Sequence, residues 1–276
     1  MKPIATDLVA LIEPIPDIRV VIFDVYGTLV VSGTGDVGST DASSHAQALD
    51  ASMRSFGLTS ALSADEALRR QRDLIAERHQ RSVSTGVDHG EVDIVQVWID
   101  WFAALGICDD CDTETAIAFA VDFESRSNPT CEMPGAADAI VELANKGYSL
   151  GIVSNAQFFT HQMLDRCLGG GVIGLFDRDL VYFSYRFGQS KPGTIMFDRL
   201  IELLGGRGLS PHEALYVGND MLNDVATASR LGMRTALFAG DARSLRLREG
   251  DERVKGVRPD VILTHLNQLQ AVCRGR

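Results

Sequence analysis

Val20-Val21-Ile22-Phe23 is four apolar residues in a row, the pattern of a strand buried on both faces in a parallel sheet. Short apolar runs of the same kind recur at 148–153, 180–183, 214–217, 235–238 and 261–263. Between them the period changes to that of helices. One spans 136–146 and is stopped by Gly147, and another covers 157–168. A third opens at Ser190-Lys191-Pro192-Gly193 and runs to Leu204; a fourth ends at Leu231, and a closing one ends near Cys273. Strands alternating with helices predict an α/β fold, a doubly wound parallel sheet with right-handed crossovers.

From 41 to 130 no strand pattern appears. Ala46, Leu49, Met53 and Phe56 recur at helical spacing, with Gly57 as a stop. Ser63-Ala64-Asp65-Glu66 is a capping box, opening a helix whose apolar face is Ala67, Leu68, Leu74 and Ile75. Val92, Val95, Trp98, Phe102 and Leu105 mark a third helix, with Trp98 and Trp101 as packing residues. Thr113, Ile117, Ala120 and Val121 mark a fourth. This block predicts an inserted α-helical lobe over 33–130, between core segments 1–32 and 131–276. The glycine-rich run 32–38 reads as a hinge. Residues 1–16 predict a short helix ended by Pro14 and Pro16, and the charged stretch 241–259 predicts a partly loose segment.

A formal net charge of -11 argues against nucleic acid and anionic membrane as partners. It also means that a small anionic substrate needs local Lys, Arg or metal charge. No apolar run approaches the roughly 20 residues of a membrane span. The first residues lack the basic start and apolar core of a signal peptide, so a cytoplasmic location is expected. Five cysteines, an odd number, do not suggest a disulfide framework. Cys108 and Cys111 form a lone C-x-x-C, short of the four ligands of a zinc site. Exposed or loosely packed thiols are the expectation for all five. Arg69, Arg70, Arg72, Arg78, His79 and Arg81 share one helix with Asp65, Glu66, Asp73 and Glu77, the composition of a solvated face. Arg69, Arg72, His79 and His45 are nevertheless candidates to meet an anionic substrate.

The polar elements that follow the predicted strands concern chemistry more directly. They are Asp24, Ser154-Asn155, and Asp220 with Asp224, and Lys191 stands at a predicted helix start. In an open parallel sheet these ends face one crevice, where ligands bind. Asp220 and Asp224 are four apart, so both can lie on one helix face. With Asp24 they would make three carboxylates, which repel unless a cation neutralises them. Oxygen ligands suit Mg²⁺, and Lys191 would be a second cation. The Ser154 hydroxyl and backbone N–H groups at a helix start would bind an anionic oxygen. A phosphoryl group in transfer fits such a site, because catalysis there is positioning plus charge neutralisation.

Asp24-Val25-Tyr26-Gly27-Thr28, Ser154-Asn155, Lys191-Pro192 and Gly218-Asn219-Asp220…Asn223-Asp224 resemble, in order, the four motifs of the haloacid dehalogenase superfamily. The 33–130 block resembles the helical cap inserted after the first motif. The resemblance implies a Rossmann-like core and a hydrolase. Asp24 would be the nucleophile, Ser154 would hydrogen-bond the transferring group, and Lys191 would orient and neutralise. Thr28, Asn155 and Tyr26 would bind substrate. Asp24, the carbonyl of Tyr26, and Asp220 or Asp224 would hold Mg²⁺. The family also uses acid pairs five apart, which would bring in Asn219 instead of Asp220. Phosphatases of the family carry an acid–base Asp two residues after the nucleophile, where this chain has Tyr26. Tyrosine there resembles the metal-independent 2-haloacid dehalogenases, whereas Asp220 in the fourth motif favours a metal. Three readings result: a Mg²⁺-dependent phosphohydrolase of a small phosphorylated metabolite, a 2-haloacid dehalogenase, or a non-catalytic binding member.

Overall fold

The computed structural model describes residues 1–33, 42–107 and 112–274. The chain divides into two compact units, Met1–Asp36 with Thr130–Arg276, and Val37–Pro129. The predicted hinge lies, from residue 34 to 38, outside the described residues, as do Cys108 and Cys111.

The first unit is built on β1 (Val20–Phe23). A two-stranded ribbon follows it in the chain, β2 (Val30–Ser32) with β3 (Thr130–Glu132). The ribbon is antiparallel, with Val30 opposite Glu132 and Ser32 opposite Thr130. It carries the chain out of the unit and back in, a pairing that three-residue runs do not announce. The helical unit between these two strands is formed by α1 (Ala42–Ser55), α2 (Ala64–Ser84), α3 (Ile94–Ala104) and α4 (Thr113–Ser127). Beyond β3, α5 (Ala136–Asn145), β4 (Ser149–Ser154), α6 (Thr160–Leu168), β5 (Val181–Phe183) and α7 (Ile195–Gly206) alternate. They are followed by β6 (Ala214–Gly218), a π-helical turn Met221–Ala226, α8 (Thr227–Arg230), β7 (Arg234–Phe238), β8 (Val261–Leu263) and α9 (Leu269–Val272).

The six-stranded sheet has the order β5-β4-β1-β6-β7-β8, and every neighbour pair is parallel. β1 is central, and its alternate residues go to opposite faces. Val21 and Phe23 join one apolar cluster with Ala139, Ile140 and Leu143 of α5, Leu164 of α6, and Leu269 and Val272 of α9. Val20 and Ile22 join another with Met196, Phe197 and Leu200 of α7 and Ala228 of α8. Because both faces are covered, all four residues of β1 are at most 1% exposed, which is why the strand reads as an unbroken apolar run.

In the helical unit α2 opens with the predicted box. Ser63 accepts from the Glu66 N–H at 3.4 Å, and Glu66 Oε2 accepts from the Ser63 N–H at 3.0 Å. Its core is aromatic. The Trp98 ring lies 5.2 Å from Trp101, 4.9 Å from Phe119 and 5.0 Å from Phe123, each edge-on, the geometry that ring quadrupoles favour. Trp101 Nε1 donates to the Ala67 carbonyl at 2.7 Å. The basic face of α2 is laced with acids: Arg78 pairs with Asp100, and Arg70 and Arg81 pair with Glu77. Arg69, Arg72 and His79 are exposed, and His45 packs against Phe123 at 6.2 Å.

Several sequence expectations are corrected. Residues 1–16 form no helix. Ile4 N–H donates to Asp241 Oδ1 and Thr6 Oγ1 to the Ala239 carbonyl, and Leu11 exchanges backbone hydrogen bonds with Ile262. A backbone engaged along the edge strand is not available for helical bonds. On α4 the buried face is Ala116, Phe119, Ala120 and Phe123, whereas Ile117 and Val121 are exposed. Helix α7 begins at Ile195 rather than at Lys191, whose backbone is held by Asn155. Cys273 is not loose: it is buried, and burial pushes its thiol up to about 12. No helix among the described residues is long and apolar enough to cross a membrane.

The aromatic core of the helical unit predicts a large truncation penalty. Trp98→Ala is expected to lower stability by about 3–5 kcal/mol, read from urea unfolding followed by far-UV circular dichroism. A change below about 1 kcal/mol would show that the ring is not a packing element.

Candidate active site

Asp24 is the residue after β1, and its N–H donates to the Val217 carbonyl of β6 at 2.9 Å. The chain then folds back in a tight turn: Leu29 and Val30 N–H both donate to the Val25 carbonyl. Gly27 makes the turn possible, since its φ is +81° and a Cβ there would meet Ser244 Cβ at 2.5 Å and Asn219 Nδ2 at 2.7 Å. Asp24 is thereby presented at the C-terminal edge of the central strand, 8% exposed.

Lys191 comes from the turn before α7 and is 4% exposed. Its ammonium donates to Asp24 Oδ1 at 2.8 Å, to Asp224 Oδ1 at 2.6 Å and to the Tyr216 hydroxyl at 2.9 Å, with the Val153 carbonyl at 3.2 Å. Burial opposes its charge, but Asp224 and then Asp24 outweigh burial and hold it well above the ordinary lysine value. Asn155 fixes the lysine from behind. Its Oδ1 accepts from Lys191 N–H at 2.6 Å and its Nδ2 donates to the Lys191 carbonyl at 3.1 Å. Tyr216 supports it from β6, its hydroxyl donating to the Val153 carbonyl at 2.6 Å. Burial and the neighbouring Asp224 hold that phenol well above its usual range, so it stays protonated.

Asp224 lies in the π-helical turn, 1% exposed. Its Oδ2 accepts the Asp220 N–H at 3.0 Å, and its carboxyl occupies the space beside Gly218, where a Cβ would meet Asp224 Cγ at 2.4 Å. Burial pushes this carboxyl up to about 7, with Lys191 opposing and Asp24 and Asp220 adding to the rise. Asp220 is held differently. Its Oδ1 caps the turn through Leu222 N–H at 2.8 Å and Asn223 N–H at 3.1 Å. Arg248 grips both of its oxygens, with Nε 3.1 Å from each and a second guanidinium nitrogen on Oδ2.

The remaining candidates stand around this centre. Ser154 ends β4, beside β1, and among the described residues its hydroxyl makes a long contact of 3.5 Å with the Asn155 carbonyl. The Thr28 hydroxyl donates to Asn219 Oδ1 at 3.1 Å, and Asn219 Nδ2 donates to the Ser244 carbonyl at 2.6 Å. The Tyr26 hydroxyl lies 3.1 Å from Thr160 Oγ1. The structure thus brings Asp24 and Asp224 onto the Lys191 ammonium, with Asn155 holding the lysine backbone, whereas Thr28 bonds to Asn219 and Asn219 to Ser244 rather than to that centre.

Sequence reasoning missed Tyr216, Ser244 and Arg248. A tyrosine inside an apolar strand reads as core, and its hydroxyl in ALYVG was the available signal. The charge pattern of 241–259 predicts a partly loose stretch. Instead Ser244 is buried, Leu245, Leu247, Val254 and Val257 pack against Met221, Val225 and Leu237, and Arg246 N–H donates to the Asn219 carbonyl at 3.0 Å. Within the stretch Arg243 pairs with Asp241, Arg253 with Asp251 and Lys255 with Glu252.

Among the described residues no group of three or more acidic, His or Cys side chains is placed to hold a metal. Mg²⁺ asks for less, being bound by one or two carboxylates, substrate phosphate and water. Asp24 and Asp224 meet at one ammonium and fit that demand in donor type and place. Asp224 Oδ1 is shared by Lys191 and the Tyr216 hydroxyl, but its Oδ2 accepts a single N–H. Arg248 takes both oxygens of Asp220, and two N–H groups of the turn also take Oδ1, so Asp220 fits less well.

The sequence profile of the haloacid dehalogenase-like hydrolases matches residues 18–232. The chain is 29% identical over 151 residues to haloacid dehalogenase-like hydrolase domain-containing protein 3 of Xenopus laevis, covering 52% of this chain and 57% of that one. It is 35% identical over 109 residues to a ribulose-1,5-bisphosphate 5-phosphatase of Halopiger xanaduensis, covering 38% and 41%. It therefore spans about half the length of these curated relatives. The crystal structure of a 2-haloacid dehalogenase from Pseudomonas syringae pv. tomato DC3000 superposes with a TM-score of 0.60 at 19% identity, over 91% of this chain and 96% of that one, a likeness of fold.

Removing the buried ammonium tests the electrostatics. Lys191→Met leaves two carboxylates uncompensated and is expected to cost about 3–5 kcal/mol at neutral pH. The folded value of Asp224 lies above its unfolded 3.8, so the stability it contributes is complete below 3.8 and is lost as pH climbs through about 7. Without Lys191 that loss deepens. The difference in Tm between wild type and variant should be larger at pH 8 than at pH 5; an equal difference at both would count against this arrangement.

Proposed function

The chain belongs to the haloacid dehalogenase-like hydrolases, and on that premise we propose that it hydrolyses a small phosphorylated substrate through an aspartyl-phosphate at Asp24. The observation that carries the proposal is the Lys191 ammonium between Asp24 and Asp224. It fixes Oδ1 of Asp24 and leaves Oδ2 outside the ion pair, so one oxygen is oriented and the other is available to attack. The name of the Halopiger relative supports a phosphate ester as substrate.

In this reading Asp24 Oδ2 attacks phosphorus, the ester P–O bond breaks, and the leaving oxygen takes a proton from water. Water then attacks the phosphorus of the aspartyl-phosphate, releasing phosphate and restoring the carboxylate. Lys191 holds Asp24 in place throughout and offsets the charge gathered at the sheet edge. The Ser154 hydroxyl, whose contact among the described residues is a long one of 3.5 Å, is available to bind a phosphoryl oxygen. Asn155 acts on Lys191 rather than on substrate. Asp24, Asp224 and the Tyr26 carbonyl would hold Mg²⁺, which supplies further charge neutralisation when bound. The helical unit Val37–Pro129 is proposed as the inserted cap.

The Tyr26 hydroxyl meets Thr160, and no carboxyl stands two residues after the nucleophile to protonate a leaving group. A positioned general acid is worth about 10²–10⁴-fold. p-Nitrophenyl phosphate, whose phenolate leaves unprotonated, should therefore be cleaved at least about 10²-fold faster than a simple alkyl phosphate. Asp24→Asn should abolish both activities. Comparable rates on the two esters, or retained activity in Asp24→Asn, would overturn the mechanism.

The same Tyr26 geometry favours a second reading, 2-haloacid dehalogenation, because halide departs without a proton. It predicts chloride release from 2-chloropropionate by EDTA-treated protein. No release under those conditions removes this reading.

A further inference from the structure

Arg248 stands in the segment 241–248, which is bound to the loop after β6 by a short ladder. Asn219 Nδ2 donates to the Ser244 carbonyl at 2.6 Å. Arg246 N–H donates to the Asn219 carbonyl at 3.0 Å, and Met221 N–H to the Arg246 carbonyl at 2.9 Å. Asp220 and Arg246 form an isolated parallel bridge. Two residues on, Arg248 adopts φ +56°, a left-handed conformation that a side-chain-bearing residue keeps only where its surroundings impose it. The guanidinium lands on both oxygens of Asp220. Bidentate Arg–carboxylate contact is directional and strong. With two N–H groups of the turn on Oδ1 as well, the carboxylate has little lone-pair capacity left.

We propose that Arg248 is a positioning residue that withholds Asp220 from the cation site. Asp220 then acts as a helix cap and anchor, and a divalent ion is left with Asp24 and Asp224 as its only carboxylates. The inference rests on the reading of Asp24 and Asp224 as Mg²⁺ ligands and adds the reason why the third acid is excluded. Its consequence is a site that holds its ion weakly until a substrate phosphate supplies the missing oxygens. Ligand charge count is what tunes the affinity of hard-cation sites. Arg248 is a fixed cation in place of the divalent one that three clustered carboxylates would otherwise demand.

The test is Mn²⁺ binding to the 276-residue chain, followed by electron paramagnetic resonance without substrate. Thermal melts confirm that each variant folds. Asp220→Asn keeps a good capping side chain and should leave Mn²⁺ affinity within about twofold. Arg248→Ala should raise affinity about tenfold or more, the scale on which surrounding residues tune metal sites. Asp220→Asn in the Arg248→Ala background should remove that gain. Arg248→Lys, a point charge without the fork, should give an intermediate gain. A merely structural Arg248 would lower stability without raising affinity. Weaker Mn²⁺ binding in Asp220→Asn alone, or no gain in Arg248→Ala, would overturn the proposal. If the wild type binds no Mn²⁺, the Mg²⁺ part of the functional reading fails by itself. A gain in Arg248→Ala that depends on Asp220 would still establish the withholding, and its absence would refute it.

Discussion

A buried ammonium bridging two carboxylates organises the sheet edge. Lys191 touches Asp24 at the end of β1, Asp224 in the turn after β6, and the carbonyl and hydroxyl of Val153 and Tyr216 in the flanking strands. None of the three charges is tolerable there alone, since an isolated buried ion costs several kcal/mol. Together they hold three distant segments of chain at one point. Asp224 carries the strain of this arrangement: burial has pushed its carboxyl to about 7 despite the adjacent ammonium.

The surrounding backbone is shaped to permit that contact. Gly218 has no side chain because the Asp224 carboxyl fills the space beside it. Gly27 has none because Ser244 and Asn219 close over it. Asn155 applies both halves of its amide to the Lys191 backbone, which sets the direction from which the ammonium enters. Asn155 thus acts on the charged centre through the lysine backbone, and Gly218 by leaving room for Asp224. Such contacts determine geometry more than stability.

A second charge pair, Asp220 with Arg248, lies beside the first and shares a peptide link with it, the Asp220 N–H donating to Asp224. Two acids four residues apart have taken different partners: a lysine from before α7 and an arginine from after β7. The difference follows from the turn they occupy. Asp220 is its cap and meets Arg248 of the segment that returns from β7, whereas Asp224, one turn on, meets the ammonium that also holds Asp24.

The parallel sheet was legible because β1 and β6 are covered on both faces and so read as unbroken apolar runs. The ends of β1, β4 and β6, and hence Asp24, Ser154 and Asp220, were legible from the same pattern. So were the capping box at Ser63 and the aromatic packing of Trp98. The sequence by itself therefore determined the fold class and the edge where the polar residues gather. Which of them touch was decided only by tertiary structure. In the sequence Arg248 is one charge in a polar stretch, Asn155 a candidate substrate contact and Asp220 a candidate metal ligand. Each was assigned a partner far away in the chain, at 28 and 36 positions' remove for Asp220–Arg248 and Asn155–Lys191. Local periodicity records which face a residue turns to the core, but carries no information about which distant charge will meet it there.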